Sequence, residues 1–211
     1  MTARALLQTQ LERGIAELGL SLPDEAVARL LDYQALLERW NSAYNLTAVR
    51  DAGEMITRHL LDSLAILPYV HGETLVDLGT GPGLPGIVLA IAAPGRQMLL
   101  VDSNGKKVRF LREAIRALKL DGVRAVQSRV EEVQGQFDCV TARAFASFAD
   151  MLGWGGHLLA PDERWLAMKG KLSADELAGV PSGFAVRETH QLVVPGLDAE
   201  RRLVVLGRAA F

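Results

Sequence analysis

The residues of this chain that could do chemistry cluster in Leu75-Val76-Asp77-Leu78-Gly79-Thr80-Gly81-Pro82-Gly83-Leu84-Pro85-Gly86. A short apolar run ends in a carboxylate, glycines follow at alternate positions, and an apolar helical pattern comes next. A parallel sheet delivers a nucleotide-like ligand to the end of its first strand in this way. A side chain there would block backbone approach, and positive φ is cheap only for glycine. Asp102 lies about 20 residues past the glycines, the separation expected of an acid that binds a ribose hydroxyl pair. Loop and acid together indicate an adenosine-containing cofactor.

Gly81 to Gly86 also satisfies the dinucleotide G-x-G-x-x-G rule, so a nicotinamide cofactor is the competing reading. A pyrophosphate needs free N–H groups at the helix start, and Pro82 and Pro85 remove two of them. Asp77 would repel a dianion. S-adenosylmethionine carries no phosphate, and its ammonium and sulfonium are both cationic, so it is the preferred cofactor. Asp77 either attracts these cations, or braces the loop by accepting backbone hydrogen bonds, or does both. Glu131, in Ser128-Arg129-Val130-Glu131-Glu132, is placed to reach an adenine amino group. Arg143, after the fourth strand, could bind the methionine carboxylate or a substrate phosphate.

Absent motifs narrow the reaction. Methylation of an exocyclic amine usually calls for an Asn/Asp-Pro-Pro-Tyr/Phe motif, where this chain has Thr141-Ala142-Arg143-Ala144. A cysteine nucleophile for pyrimidine carbon five is not indicated, because Cys139 sits inside an apolar strand and reads as a core thiol. No His/Cys cluster suggests a metal. No catalytic side chain is assigned; Arg143, Arg58 and His59 are the candidates. Guanine N7 has a free lone pair and loses no proton on alkylation, so a site without a base suits it. Alignment and exclusion of water then carry the rate.

The helix after Asp102 carries Lys106, Arg109, Arg112, Arg116 and Lys119 at three- and four-residue spacing, beside an apolar stripe of Val108, Leu111, Ile115 and Leu118. A basic face there could hold an RNA backbone, extended by Arg124, Arg129, Lys169 and Lys171, with Arg58 and His59 bordering the pocket. The formal net charge of −2 means any such surface is local.

The elements that position these residues follow from the rhythm of the chain. Of 211 residues, 49% are hydrophobic and 23% charged, as in an ordinary globular domain. The one cysteine fits a reducing compartment, and no apolar run is long enough for a secretion signal or membrane span, so the expected location is cytoplasmic. Residues 1–70 read as helical: a helix to Leu18, a second opening at Leu22-Pro23-Asp24-Glu25, a loop from Asn41 to Asp51, and a third helix from Ala52 to Tyr69. From Thr74 strands alternate with helices: Thr74–Leu78, Gln97–Asp102, Val123–Gln127, Phe137–Thr141 and Arg164–Met168, with helices Leu84–Ala92 and Lys106–Leu120 between them. Phe184–Val193 and Arg201–Gly207 should form an antiparallel edge. The expected fold is α/β, with a mostly parallel seven-stranded sheet and an antiparallel C-terminal edge. It forms a single domain over 1–211, with 1–70 as a helical extension packed on a 71–211 core.

Trp40-Asn41-Ser42-Ala43-Tyr44-Asn45-Leu46-Thr47, Arg58-His59-Leu60-Leu61-Asp62-Ser63, the Gly79–Gly86 loop, Gln127-Ser128-Arg129-Val130-Glu131-Glu132 and Arg143-Ala144-Phe145-Ala146-Ser147 occur in that order. In series they resemble the bacterial 16S ribosomal RNA guanine-N7 methyltransferases, the glucose-inhibited division protein B family. The resemblance spans nearly the whole chain. It implies a Rossmann-like class I methyltransferase fold, and methyl transfer from S-adenosylmethionine to N7 of one guanine in 16S ribosomal RNA of the small subunit. The missing metal motifs and the short apolar runs lead to the expectation of no metal and no membrane partner, and a monomer is expected. The resemblance implies cofactor contacts at Gly79, Leu84, Val130, Glu131 and Arg143, with Asp102 on the ribose and Gly81 and Gly83 within the loop. The alternatives are a methyltransferase of a small molecule or protein, a nicotinamide-dependent oxidoreductase, and a non-enzymatic cofactor-binding ribosome factor.

Overall fold

The computed structural model describes residues 2–143 and 146–209. Ala144 and Phe145, part of the Arg143–Ser147 segment singled out above, lie outside the described residues. Two helices open the chain, α1 (Ala3–Glu17) and α2 (Asp24–Tyr44). Pro23 caps α2 instead of occupying its first turn, and Asp24 and Glu25 supply the acids that suit a helix start. The expected loop from Asn41 begins only at Asn45, which ends α2 in the left-handed conformation. Polar Asn41 stays helical because it is buried and useful there. Its amide accepts from Thr47 N (2.9 Å) and donates to Val49 O (3.1 Å), folding the loop back on the helix.

The third helix is broken into parts. α3 (Ala52–Met55) runs into a π-helical segment, Ile56–Leu61, and then into α4 (Asp62–Leu64); a short 3-10 turn follows at Leu67–Tyr69. The extra residue per turn in a π segment shifts which side chains share a face, and such segments recur at functional sites.

The strands are β1 (Thr74–Leu78), β2 (Gln97–Asp102), β3 (Val123–Gln127), β4 (Phe137–Arg143), β5 (Leu159–Lys169), β6 (Phe184–Leu192) and β7 (Arg201–Arg208). They form one sheet in the order β3-β2-β1-β4-β5-β7-β6. β1 to β5 pair parallel to one another, and β7 runs antiparallel to both β5 and β6. β4 extends beyond the expected Thr141, so Arg143 ends the strand instead of following it. β5 starts earlier than Arg164, through ordinary polar residues that pattern alone reads as loop.

α5 (Gly86–Ala92) starts two residues later than expected, with Pro85 as its cap, and α6 (Gly105–Ala117) stops before Lys119, which takes φ +51°. Lys119 therefore leaves the helical basic stripe. α7 (Phe148–Gly155) and the short α8 (Ala174–Ala178) complete the helices.

The period of two in the strands divides the core. Leu75, Leu100 and Cys139 pack with α1, α2, α5 and α6, whereas Val76, Leu78, Val101 and Val140 pack with Phe148, Met151 and Leu152 of α7. Cys139 is fully buried and its thiol is pushed up to about 12 by that burial, so it serves as a core residue.

The helical extension reaches the glycine loop itself. Tyr33 of α2 is fully buried, and its hydroxyl donates to Pro82 O at 2.9 Å. Its ring lies 6.3 Å from Phe110 of α6, and Trp40 lies 5.7 Å from the same ring. Burial drives the Tyr33 phenol well above its usual value, so it is always a donor. Tyr33→Phe is expected to strand the Pro82 carbonyl and cost about 1 kcal/mol, roughly 2–4 °C in Tm; thermal denaturation checks it, and an unchanged Tm would contradict the contact.

Candidate active site

In a sheet of this order, the crevice lies where the strand order reverses, beyond the carboxyl ends of β1 and β4. Gly79 and Arg143 stand at those two ends. What fixes the loop between β1 and α5 is Asp77. Its side chain is fully buried. Oδ2 accepts from Thr80 Oγ1 (2.5 Å) and from Gly86 N (2.9 Å), and Oδ1 accepts from Thr141 Oγ1 (2.9 Å), its cross-strand neighbour on β4. Burial lifts its carboxyl to about 6, opposed by those hydrogen bonds and by Arg143. Asp77 lines neither cavity described below, so of its two proposed roles the structure displays the brace.

The brace decides between cofactors. The N–H of Thr80 donates to Val101 O, that of Gly81 to Asp102 Oδ2, those of Gly83 and Leu84 to Thr80 O, that of Gly86 to Asp77 and that of Ile87 to Gly83 O. Pro82 and Pro85 have none. Every N–H from Thr80 to Ile87 is thus internally satisfied or missing, and no donor is left to cradle a pyrophosphate. Gly83, at φ +105°, lines neither cavity; a Cβ there would collide with Ile87. Gly81, at φ +62°, has open space where a Cβ would be, so ligand backbone approach is free at that point.

Two cavities meet at Gly79 and Arg143. The larger, about 960 Å³, is lined by Gly79, Asp102, Val130, Glu131, Arg143 and Trp154, with Lys107, Gln127, Ser128, Arg129 and Glu132 around them. Asp102 is buried; Oδ2 accepts from Gly81 N (2.9 Å) and Oδ1 from Asn104 N (2.8 Å), and Lys107 Nζ stands 3.8 Å away. Each oxygen retains a lone pair for a hydroxyl. The charges of this cavity balance: Asp102, Glu131 and Glu132 against Lys107, Arg129 and Arg143. A zwitterionic nucleoside with no phosphate fits such a lining.

The second cavity, about 520 Å³, is basic. Arg58, Arg143, Lys169 and Arg201 line it against the single carboxylate of Asp62, with His59, Gly81 and Leu84 also in its wall. Asp62 is buried and tied on both oxygens, accepting from Arg143 Nη1 (3.0 Å) and Arg201 Nε (2.8 Å); Arg143 Nη1 also donates to Arg58 O (3.2 Å). Arg58 and His59 of the π segment reach this wall together with Asp62 of α4, at the three- and four-residue spacings that share a helix face. His59 is buried, its Nε2 lies 2.9 Å from Thr47 Oγ1, and burial lowers its imidazole to about 4, so it is neutral at pH 7.

Of the other basic candidates, Arg129 lines the first cavity and Arg124 borders a separate groove of about 400 Å³. Lys106, Arg109, Arg112 and Arg116 are exposed on α6 and line neither cavity, and Arg116 is paired to Glu113 (2.9 Å). The stripe and the pocket are therefore distinct surfaces. Sequence reasoning missed Trp154, Lys107, Asp62 and Arg201 as site residues. Lys107 was within reach, being one turn past Asp102; Arg201 is 139 positions from Asp62 and only the sheet order brings them together. Among the described residues no group of acidic, His or Cys side chains could hold a metal ion, and no helix is long and apolar enough to cross a membrane.

Comparison with known proteins agrees with this geometry. The profile of a family described as rRNA small subunit methyltransferase G matches residues 26–205. A protein of that name from Stenotrophomonas maltophilia is 54% identical over 205 residues, covering 96% of this chain and 95% of its own. One from Xanthomonas euvesicatoria is 54% identical over 198 residues, covering 93% and 92%. Among solved structures, the magnesium protoporphyrin IX methyltransferase of Synechocystis PCC 6803 with bound SAM superposes with TM-score 0.61 at 16% identity, over 90% of this chain and 99% of that one. TrmN from Thermus thermophilus gives 0.59 at 20% identity, over 73% and 53%.

Two outcomes follow from the braces. Asp62→Ala leaves Arg143 and Arg201 facing each other without their carboxylate and is expected to lower unfolding free energy by about 3–5 kcal/mol, read by urea titration. Because the folded Asp77 titrates near 6, above its usual 3.8, its stabilising contribution is full at low pH and lost as pH rises through about 6. The stability advantage of the wild type over Asp77→Asn should therefore shrink between pH 4.5 and 7.5, by about 2 kcal/mol; an advantage that grows with pH would contradict the burial argument.

Proposed function

The chain belongs to the rRNA small subunit methyltransferase G family, and from that premise we propose that it transfers a methyl group from S-adenosylmethionine to N7 of a guanine in 16S ribosomal RNA. The observation that carries this reading is the pair of cavities joined at Gly79 and Arg143, one charge-balanced and one basic. The cofactor occupies the first and the RNA nucleotide the second, so the reacting atoms meet at the junction.

The residues present fit the cofactor. Asp102 receives the ribose hydroxyls. Glu131 takes the adenine amino group beside the apolar wall of Val130, and the exposed ring of Trp154 offers a face at the same mouth. The amino acid end lies toward Gly79 and Arg143, with Gly81 and Leu84 in the wall beyond. S-adenosylmethionine supplies an electrophilic methyl on a sulfonium. The protein aligns it, and such alignment is worth ~7–11 kcal/mol in favourable cases.

The junction supports N7 as the acceptor. Both oxygens of Asp62 are occupied by guanidinium groups, and His59 is a weak base held neutral. Among the described residues no carboxylate free of a cationic partner stands at the meeting point of the cavities, and N7 needs no base because it loses no proton. Acceptors that must be deprotonated are less well served. The basic lining of the second cavity favours a polyanion over an uncharged small molecule, and the filled N–H groups of the loop disfavour a dinucleotide. The reading extends to a single-domain, monomeric protein that works in the cytoplasm on the small ribosomal subunit.

The decisive test is transfer of labelled methyl to small subunits lacking the modification, followed by mapping of the modified base. Calorimetry should show S-adenosylmethionine binding and no binding of NAD. Asp102→Ala should weaken the cofactor at least about tenfold, roughly 1.4 kcal/mol, with the RNA affinity unchanged. Labelled methyl on protein or small molecules only, or NAD bound in preference, would falsify the proposal.

A further inference from the structure

The cations of the basic cavity are not equally available. Lys169 is consumed internally: its Nζ donates to Ala146 O and to Glu176, and it sits over the Phe148 ring. Arg143 and Arg201 share Asp62. Arg58 differs. Its backbone carbonyl accepts from Arg143, but its exposed guanidinium has no hydrogen-bond or ionic partner among the described residues. It projects from the π segment, beside the Asp62 knot, into the wall of the cavity that adjoins the cofactor. The knot of two guanidiniums and one carboxylate carries one net positive charge, and Arg58 adds a second.

A cavity of about 520 Å³ is of the size that holds one small ligand, and a base within a stacked helix cannot enter such a recess. The nucleotide must come in unstacked, and its phosphate must come with it. Resting on the rRNA methyltransferase reading, we infer that Arg58, supported by Arg201, forms a phosphate site inside the acceptor cavity that grips the phosphate of the nucleotide being methylated. Arg201 keeps its Nε on Asp62 and its Nη1 on Glu200 O, which fixes the plane of its guanidinium at the cavity wall. A guanidinium held in this way can meet phosphate oxygens in a forked geometry while Arg58 closes from the solvent side. The site would register the position of the target guanine through its backbone, leaving N7 directed at the junction.

Arg58 makes the clean probe, because it is exposed and its side chain holds nothing else in place. Wild-type transfer to unmodified subunits is measured first; its absence sinks the enzymatic reading, and with it this site. Given that transfer, Arg58→Gln should raise KM for the subunit about tenfold with kcat nearly unchanged. The slope of log(kcat/KM) against log salt should become shallower by about one. Arg58→Lys should retain the slope, and calorimetry should find S-adenosylmethionine affinity equal in all three proteins. In a second arm, protein saturated with S-adenosylhomocysteine is titrated with guanosine 5′-monophosphate and with guanosine. The monophosphate should bind several-fold tighter in the wild type and lose that advantage in Arg58→Gln. An unchanged salt slope, a loss confined to kcat, or a parallel loss of cofactor affinity would each overturn the inference. So would the lack of a monophosphate preference, which would assign the lost charge to the phosphate of a neighbouring nucleotide.

Discussion

A fully buried carboxylate dictates the architecture of this site. Asp77 lies at the end of the central strand, and burying it is costly unless every lone pair region finds a donor. The donors come from three separate pieces of chain: the loop through Thr80, the start of α5 through Gly86, and β4 through Thr141. Satisfying the charge therefore fixes the glycine loop against the sheet and locks β1 to β4 at the crevice. It also uses up the N–H that a helix start would otherwise offer an anion. The loop spelling resembles a dinucleotide fingerprint, yet its hydrogen bonds are closed on themselves. What remains open to a ligand is surface and carboxylate, which suits a phosphate-free, cationic nucleoside.

A second buried carboxylate organises the other side. Asp62 gathers Arg143 from β4 and Arg201 from β7 and thereby holds two of the cations that line the basic cavity. It opens α4 directly after the π segment, whose Arg58 and His59 lie on the same wall. The N-terminal helices thus do more than cover the sheet. Through Tyr33 they hold the back of the cofactor loop, and through the π segment they supply a wall of the basic cavity.

Much of this was readable from the chain. The period of two in β1 and β2, the glycine loop and Asp102 are local signals, and each landed where its spacing placed it. The antiparallel edge followed from the turn at Pro195-Gly196. Signals failed where tertiary contacts override composition. Asn41 looks like loop because its polar side chain gives no hint that it will cap a loop from inside a helix. The break of Ala52–Tyr69 into a π segment leaves no mark in apolar periodicity. The basic stripe on α6 was the conspicuous charge pattern, yet the cavity is charged by Arg58, Arg143, Lys169 and Arg201, which are scattered over the sequence and converge only through the sheet order. Asp77 was read both as ligand-facing and as a brace, since sequence gives the carboxylate and not its direction.

Arg143 belongs to both cavities, and this bears on how the two substrates can be handled. Its guanidinium is held by Asp62 of α4 and by the carbonyl of Arg58 in the π segment, so its position is set by the wall of the basic cavity. The same residue also lines the larger, charge-balanced cavity. A charge placed in the acceptor cavity shifts the electrostatic field on this one side chain, and so does the carboxylate of a cofactor across from it. Any coupling between the two cavities that ran through this one guanidinium would be the same in either order of binding. The geometry shows a single charge tied to one wall and shared by both cavities, and a buried carboxylate fixes where that charge stands.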